Sequence, residues 1–333
     1  MRLSKASIVV IVIGVILVIM APVWKWAIGP QFVKIPNNLD TTSEYEGTLK
    51  IYADPQSMSL YPPGQEQVQK LKITRNDKAI PSRSSSSVIL VEEKGVVKDA
   101  STGKVLQLGW DKFYALDSKT AQNVSGHGSD NNRTGLTVLF PIGTQKNEYL
   151  FWDDDTGKTG AAKFVKEETI EGVKHKSVKV LVFDVKGTPD KMSKPPLGLP
   201  AELPGSVIKT ILGNPAMPIS DTMMLPIDYF KKTDARIVAE PKTGSIVDVP
   251  RYREEYYVNT ALAPPPNYLT LATLDYAQTR LNVKMVVDDS AKYFGMLDLN
   301  AMWLPLIFLV VGLILIVIGL FLGRKPGASK PSR

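Results

Sequence analysis

The chain contains no cysteine. Disulfides, thiolate chemistry and cysteine-based zinc sites are therefore excluded. Any exported domain must hold together by its core alone. A segment as long as 27–300 can do so, because roughly three quarters of the surface of such a chain is buried on folding. Exported domains without cysteine fit a prokaryotic envelope better than a eukaryotic secretory pathway. Histidine is scarce too, with only His127 and His175. Gly126-His127-Gly128-Ser129 lacks the second glycine of a nucleophile elbow. His175 lies between Lys174 and Lys176. Neither histidine is accompanied by a nucleophile and an acid, so no catalytic residue is assigned.

Other motifs fail on missing members. Gly157-Lys158-Thr159 lacks the leading glycine of a phosphate loop. Asp153-Asp154-Asp155 lacks the bidentate glutamate that completes a calcium loop, and reads as a hairpin turn with solvated aspartates. No cofactor-binding residue and no metal ligand is assigned.

Charge is absent from two long runs, Ala6 to Trp24 and Met302 to Leu322. About 20 apolar residues cross a bilayer, and there only a helix satisfies its own backbone. The first run is longer than the apolar core of a cleaved signal peptide. Its exit, Met20-Ala21-Pro22-Val23, lacks a small-x-small site, so it reads as a retained anchor. Gly319 and Gly323 form a GxxxG pair that can seat a partner helix.

The net charge of +7 is partly held in the flanks of these runs. Arg2 and Lys5 precede the first. Arg324, Lys325, Lys330 and Arg333 follow the second. These residues are topology signals that hold both termini in the cytoplasm, and they do not point to nucleic acid. Trp24, Trp26 and Trp303 then anchor the outer membrane interface. The expected layout is a cytoplasmic N-terminus (1–5), a span (6–26), an extracytoplasmic β-rich domain (27–300), a second span (301–323) and a basic cytoplasmic tail (324–333).

The middle of the chain alternates with period two in short runs: Gly47 to Tyr52, Val68 to Ile73, Val178 to Phe183 and Tyr252 to Val258. Ser87 to Glu92, Leu136 to Phe140, Glu148 to Trp152, Ala235 to Glu240 and Ser245 to Val249 are further strand candidates. The fold class is mainly β: an antiparallel sheet, sandwich or irregular barrel between two transmembrane α-helices. The best helix in the domain is Asp288 to Leu299, with Asp288, Asp289 and Ser290 resembling a capped start. Ser118 to Thr134 reads as a long exposed loop. Thr188 to Pro226, rich in proline, reads as an excursion packed over the core, with a membrane-near flap as the alternative. Two sequons, at Asn123 and Asn132, are candidate N-glycosylation sites in the exposed loop. Lys166 to Lys179 reads as a solvated sheet face.

Several motifs occur in a fixed order. Leu139-Phe140-Pro141-Ile142 is followed by Tyr149-Leu150-Phe151-Trp152-Asp153 and then by Glu167-Glu168-Thr169-Ile170-Glu171-Gly172-Val173. Glu240-Pro241-Lys242-Thr243-Gly244-Ser245 comes later, and Lys34-Ile35-Pro36-Asn37-Asn38 earlier. This series resembles the porin PorA-like family of actinobacteria and archaea across nearly the whole chain. The family title implies a pore. An outer-membrane barrel, however, has no helical spans and uses strands of about ten residues. The layout also looks like that of class B scavenger receptors, which is an architectural analogy alone.

The expectation is a two-pass cell-membrane protein whose extracytoplasmic domain binds lipid, glycan or other envelope proteins. An oligomeric pore or transport component is the alternative, and an extracytoplasmic hydrolase is a weaker one. Membrane lipid and a homo-oligomer are the expected partners. A reporter fused after Arg333 is expected on the cytoplasmic face; an extracytoplasmic readout would reverse the topology.

Overall fold

A computed structural model describes residues 4–322, apart from 55, 56, 58, 131, 175 and 260–265. Arg2, Arg324, Lys325, Lys330, Arg333, Gly323 and His175 lie outside the described residues. The chain divides into two compact units, Met1–Lys34 with Lys292–Arg333, and Ile35–Ala291.

In chain order the elements begin with helix α1 (Lys5–Val23), followed by strands β1 (Asp40–Ile51), β2 (Gln67–Ala79), β3 (Val88–Asp99) and β4 (Trp110–Asp117). Then come β5 (Tyr149–Asp153), β6 (Lys158–Glu171), β7 (Ser177–Lys186), β8 (Asp190–Lys191) and β9 (Glu202–Pro204). A short helix α2 (Gly205–Ile211) precedes β10 (Met224–Pro226), β11 (Tyr229–Ala239), β12 (Ile246–Asn259) and β13 (Tyr268–Gln278). Two helices close the chain, α3 (Arg280–Asp298) and α4 (Leu304–Leu322).

The helical unit pairs α1 with α4 through small residues. Ser7, Gly14 and Ala21 are the buried residues of α1, and Pro305, Gly312 and Gly319 those of α4. Each set recurs at every seventh position, which keeps one seam in contact along both helices. A Cβ on Gly312 would lie 2.7 Å from the Gly14 carbonyl oxygen, and the reverse is equally tight. Gly319 faces Ile11 and the Ser7 carbonyl of the same chain. Outside the seam the helices expose apolar side chains such as Ile8, Ile16, Leu306 and Phe321. Both are long and apolar enough to cross a membrane.

Beyond each of these helices the backbone widens into a π turn, Trp24–Ile28 and Leu299–Trp303. The Trp24 indole donates to the Asn300 carbonyl at 3.0 Å and stacks on Phe32.

The β unit is built on one curled antiparallel sheet in the order β4-β3-β2-β1-β13-β12-β11-β7-β6-β5, with β8 attached to β11 and β9 and β10 paired separately. Period-two alternation aims one face inward. On β2, Leu71, Ile73, Asp77 and Ala79 are buried while Lys70, Lys72 and Lys78 are exposed. The curl brings Val91 and Leu116 into one core with Ala162, Phe183 and Ile237.

The two edges are joined by the segment expected to be an exposed loop. Val124 N donates to Ala115 O, Asn123 N to Gly135 O, and Leu136 N to Leu150 O, each at 2.8–2.9 Å. Ala121 and Arg133 within that segment, and Leu136 just after it, are buried. The polar composition of the segment serves its turns, while its few apolar residues and Arg133 plug the seam.

The Thr188 to Pro226 excursion does pack on the core. Leu203 is buried, and Leu199, Val207, Ile208 and Ile211 cover Tyr229, Val258 and Leu271. The last helix of the domain differs from expectation. It begins at Arg280, eight residues before Asp288, because Val283 and Val287 lie on one face and cover Val178, Val180 and Val182 on the outside of the sheet. Asp288 accepts from the Lys174 backbone N–H at 3.0 Å in the β6–β7 turn and caps no helix start. Leu136 to Phe140 is no strand beyond a single bridge to Phe151. Ser245 to Val249 and Tyr252 to Val258 merge into β12, through Pro250.

Replacing Gly312 with Leu forces a side chain into the α1 backbone. Overpacking of this kind costs about 1–3 kcal/mol. The expected result is a lower melting temperature in detergent. Leu306→Ala, on the outer face, should shift it little; equal shifts would mean that the seam is not where the helices are held.

Candidate functional site

The inner face of the sheet carries a layer of charge between two apolar clusters. Along β2 the inward series runs Leu71, Ile73, then Arg75 and Asp77, then Ala79. Along β3 it runs Val97, then Glu93, then Val91. Buried charges are costly unless paired and hydrogen-bonded. Here the pairing is dense.

The turn from β5 to β6 supplies three consecutive aspartates to this layer. Asp154 receives Arg133 Nε at 2.6 Å, Lys112 Nζ at 3.1 Å, the Tyr114 hydroxyl at 3.1 Å and the Trp152 indole at 2.9 Å. Asp153 and Asp155 flank it and both reach Lys231 Nζ, at 2.9 and 2.6 Å. Lys231 also meets Glu254 Oε1 at 3.1 Å. The Tyr256 hydroxyl donates to the other Glu254 oxygen. Lys231's side chain is only 3% exposed. Its ammonium occupies the position a bound cation would take among three carboxylates.

The expectation of solvated aspartates is thus corrected. The residues do form a hairpin turn, yet the Asp154 side chain is 11% exposed and Asp153 23%. Asp155 is the most exposed of the three, with 46% of its side chain reaching solvent. The curl of the sheet places Arg133 and Lys231 under the turn, far away in sequence, and no local pattern announces this.

Electrostatics follow the geometry. Burial alone would raise the Asp154 carboxyl, but Arg133 and Lys112 outweigh it and hold the group below the usual carboxylate range. Asp155 is lowered in the same way, against its burial, by Lys231. Burial works against the Lys231 ammonium, while Glu254, Asp153 and Asp155 more than restore it, so the lysine stays charged. Burial pushes the Tyr252, Tyr256 and Tyr276 phenols up. Tyr252 and Tyr276 stack at 4.6 Å, and Tyr45 meets Tyr276 edge-on at 5.4 Å. The arrangement fixes the register of distant strands from inside. Arg133 shows the same economy: it reaches the Phe113 carbonyl at 2.7 Å and lies over the Tyr114 ring at 4.4 Å.

The residues singled out from sequence fall elsewhere. Asn123 is half-buried, and its amide donates to the Gly135 carbonyl at 2.9 Å within the closing segment. Asn132 is exposed. Lys5 is exposed at the start of α1. Trp26 and Trp303 are exposed, at 73% and 49%, whereas Trp24 is half-buried by its bond to Asn300. His127 is exposed with a left-handed backbone, φ 53°. The structure gathers none of these polar residues into one cluster.

Replacing Lys231 with Met leaves Asp153, Asp155 and Glu254 facing one another without a cation. Breaking a buried pair in this way costs about 3–5 kcal/mol. Urea unfolding should show the loss as a lower midpoint, and adding Glu254→Gln should recover part of it. An unchanged midpoint would mean that the charged layer does not hold the sheet.

No curated protein matches the chain. The family described as Porin PorA matches residues 6–321. That span takes in both apolar helices and the entire β unit, so the chain belongs to the PorA porin family.

Proposed function

We propose that this protein is a two-helix membrane anchor carrying a β domain outside the bilayer, which binds an envelope ligand: lipid, glycan or another envelope protein. One observation carries the reading. Polar groups stand where water is and are missing where a water-filled path through the membrane would need them. The outward strand positions bear Glu44, Glu46, Lys70, Lys72, Lys163 and Glu168, all exposed. Such a surface belongs in water and cannot face lipid in the manner of a porin barrel. Along α1 and α4, beyond the terminal Lys5, the one polar side chain is Ser7, and it is buried in the helix seam. Helices without polar side chains offer a conducting path no lining.

A second reading is favoured by the family name. Several copies could place their α1–α4 pairs side by side and conduct between them, as the word porin suggests. One pair alone encloses no channel.

Planar bilayers separate the two. The full chain, reconstituted over a wide range of protein-to-lipid ratios, is expected to give no conductance steps. The same purified protein is expected to carry co-purifying envelope lipid or glycan, detected by mass spectrometry. Conductance that grows more steeply than protein concentration would establish the oligomeric pore in place of the anchored binder.

A further inference from the structure

Asp77 and Glu93 stand directly opposite each other on β2 and β3. Both point inward, and each residue is 6% exposed. Like charges facing each other across strands repel, and more strongly when buried. A single guanidinium lies between them. Arg75 Nε is 3.0 Å from Asp77 Oδ1, and Arg75 Nη2 is 2.8 Å from Glu93 Oε2.

The other groups packed on this pair do not supply a second cation. From β1 come the buried Tyr45 and, opposite Asp77, Thr41. From β4 come Trp110, whose indole donates to Glu93, and Tyr114, whose hydroxyl goes to Asp154. Lys112 is opposite Glu93 in register, but its ammonium is 3.1 Å from Asp154. Arg133, from the closing segment, is also bonded to Asp154. Two carboxyls therefore divide one positive charge.

We propose that Asp77, which faces Glu93 across one shared guanidinium, keeps its proton in the folded chain, so that the inner face of β2 and β3 is a proton-binding site that sets how firmly this wall of the sheet is held. Two carboxyls in one site cannot both ionise without cost, and the proton removes one charge and supplies a donor between them. Burial, with Glu93 adding to it and Arg75 opposing, pushes the Asp77 carboxyl up to about 7.

The sign of the linkage follows. The unfolded chain releases this proton near 3.8, the ordinary value, while the folded chain keeps it up to about 7. Between those values the folded state binds more protons. Its stability therefore falls as pH rises through the window and levels off above it.

The test uses the full chain in detergent micelles. Thermal melts from about pH 5 to about pH 9 should show the melting temperature falling and then levelling. Asp77→Asn should remove that fall and melt no lower than wild type at the alkaline end. Infrared difference spectra should show a protonated-carboxyl carbonyl band in wild type at about pH 6 that is lost at about pH 9 and is clearly weaker in Asp77→Asn, where Asp248, pushed up by burial to about 6, supplies what is left. Should Asp77→Asn fail to fold, Glu93→Gln carries the same expectation. Absence of the band at every pH, or an Asp77→Asn protein that keeps the full wild-type fall, overturns the proposal. So does a melting temperature that drops on addition of a chelator, since a metal cation would then be neutralising the pair.

Discussion

The ion pairs made by Asp153, Asp154 and Asp155 are the constraint on which the β unit depends. The sheet has two free edges, and hydrogen bonds between edges run through only a few residues of the closing segment. The aspartate turn holds that seam from the inside. Asp154 ties β5 to Arg133 in the closing segment and to Lys112 and Tyr114 on β4. Asp153 and Asp155 tie the same turn to Lys231 on β11. Apolar packing alone would tolerate a slipped strand. A layer of charges tolerates it poorly, because a one-residue shift turns every inward charge outward and leaves its partner buried alone.

The helical unit meets its own constraint by opposite means. In lipid there is no gain from hiding apolar side chains, so helices associate through close backbone approach. Ser7, Gly14 and Ala21 on one helix and Pro305, Gly312 and Gly319 on the other provide that approach. One chain thus joins a seam with almost no side chains to a β interior held by long charged ones.

Much of this was legible in the sequence. The charge-free runs located both long helices, and period-two alternation placed most inner strands. The β6 strand was read only in its second half, as part of the solvated sheet face Lys166 to Lys179, because the charges at Lys163, Lys166, Glu167 and Glu168 mask the alternation that would mark its start. The start of α3 was missed because its β-branched valines suggest strand until the sheet they cover is known. The GxxxG spacing at Gly319 and Gly323 pointed to a helix contact, while the observed repeat runs through Gly312 at seven-residue intervals. The charged layer could not be read locally at all. Arg75, Arg133, Lys231 and their carboxylates are scattered across the chain, and each looks like an ordinary surface residue until the curl fixes which way it points. Cross-strand pairing, not motif, carries that information.

The seam between α1 and α4 also governs how the protein can be made. The first helix is synthesised long before its partner, with Val23 and Leu304 separated by the whole β unit. Strand β1 waits in the same way, because its neighbour on one side is β13. Each unit is therefore completed by an element made long after its first, β13 for β1 and α4 for α1. Until then α1 must sit in the membrane with its glycine face open, and β1 with an unpaired edge. A chain interrupted before β13 leaves two unfinished surfaces at once, because β1 lacks its neighbour β13 and α1 lacks α4.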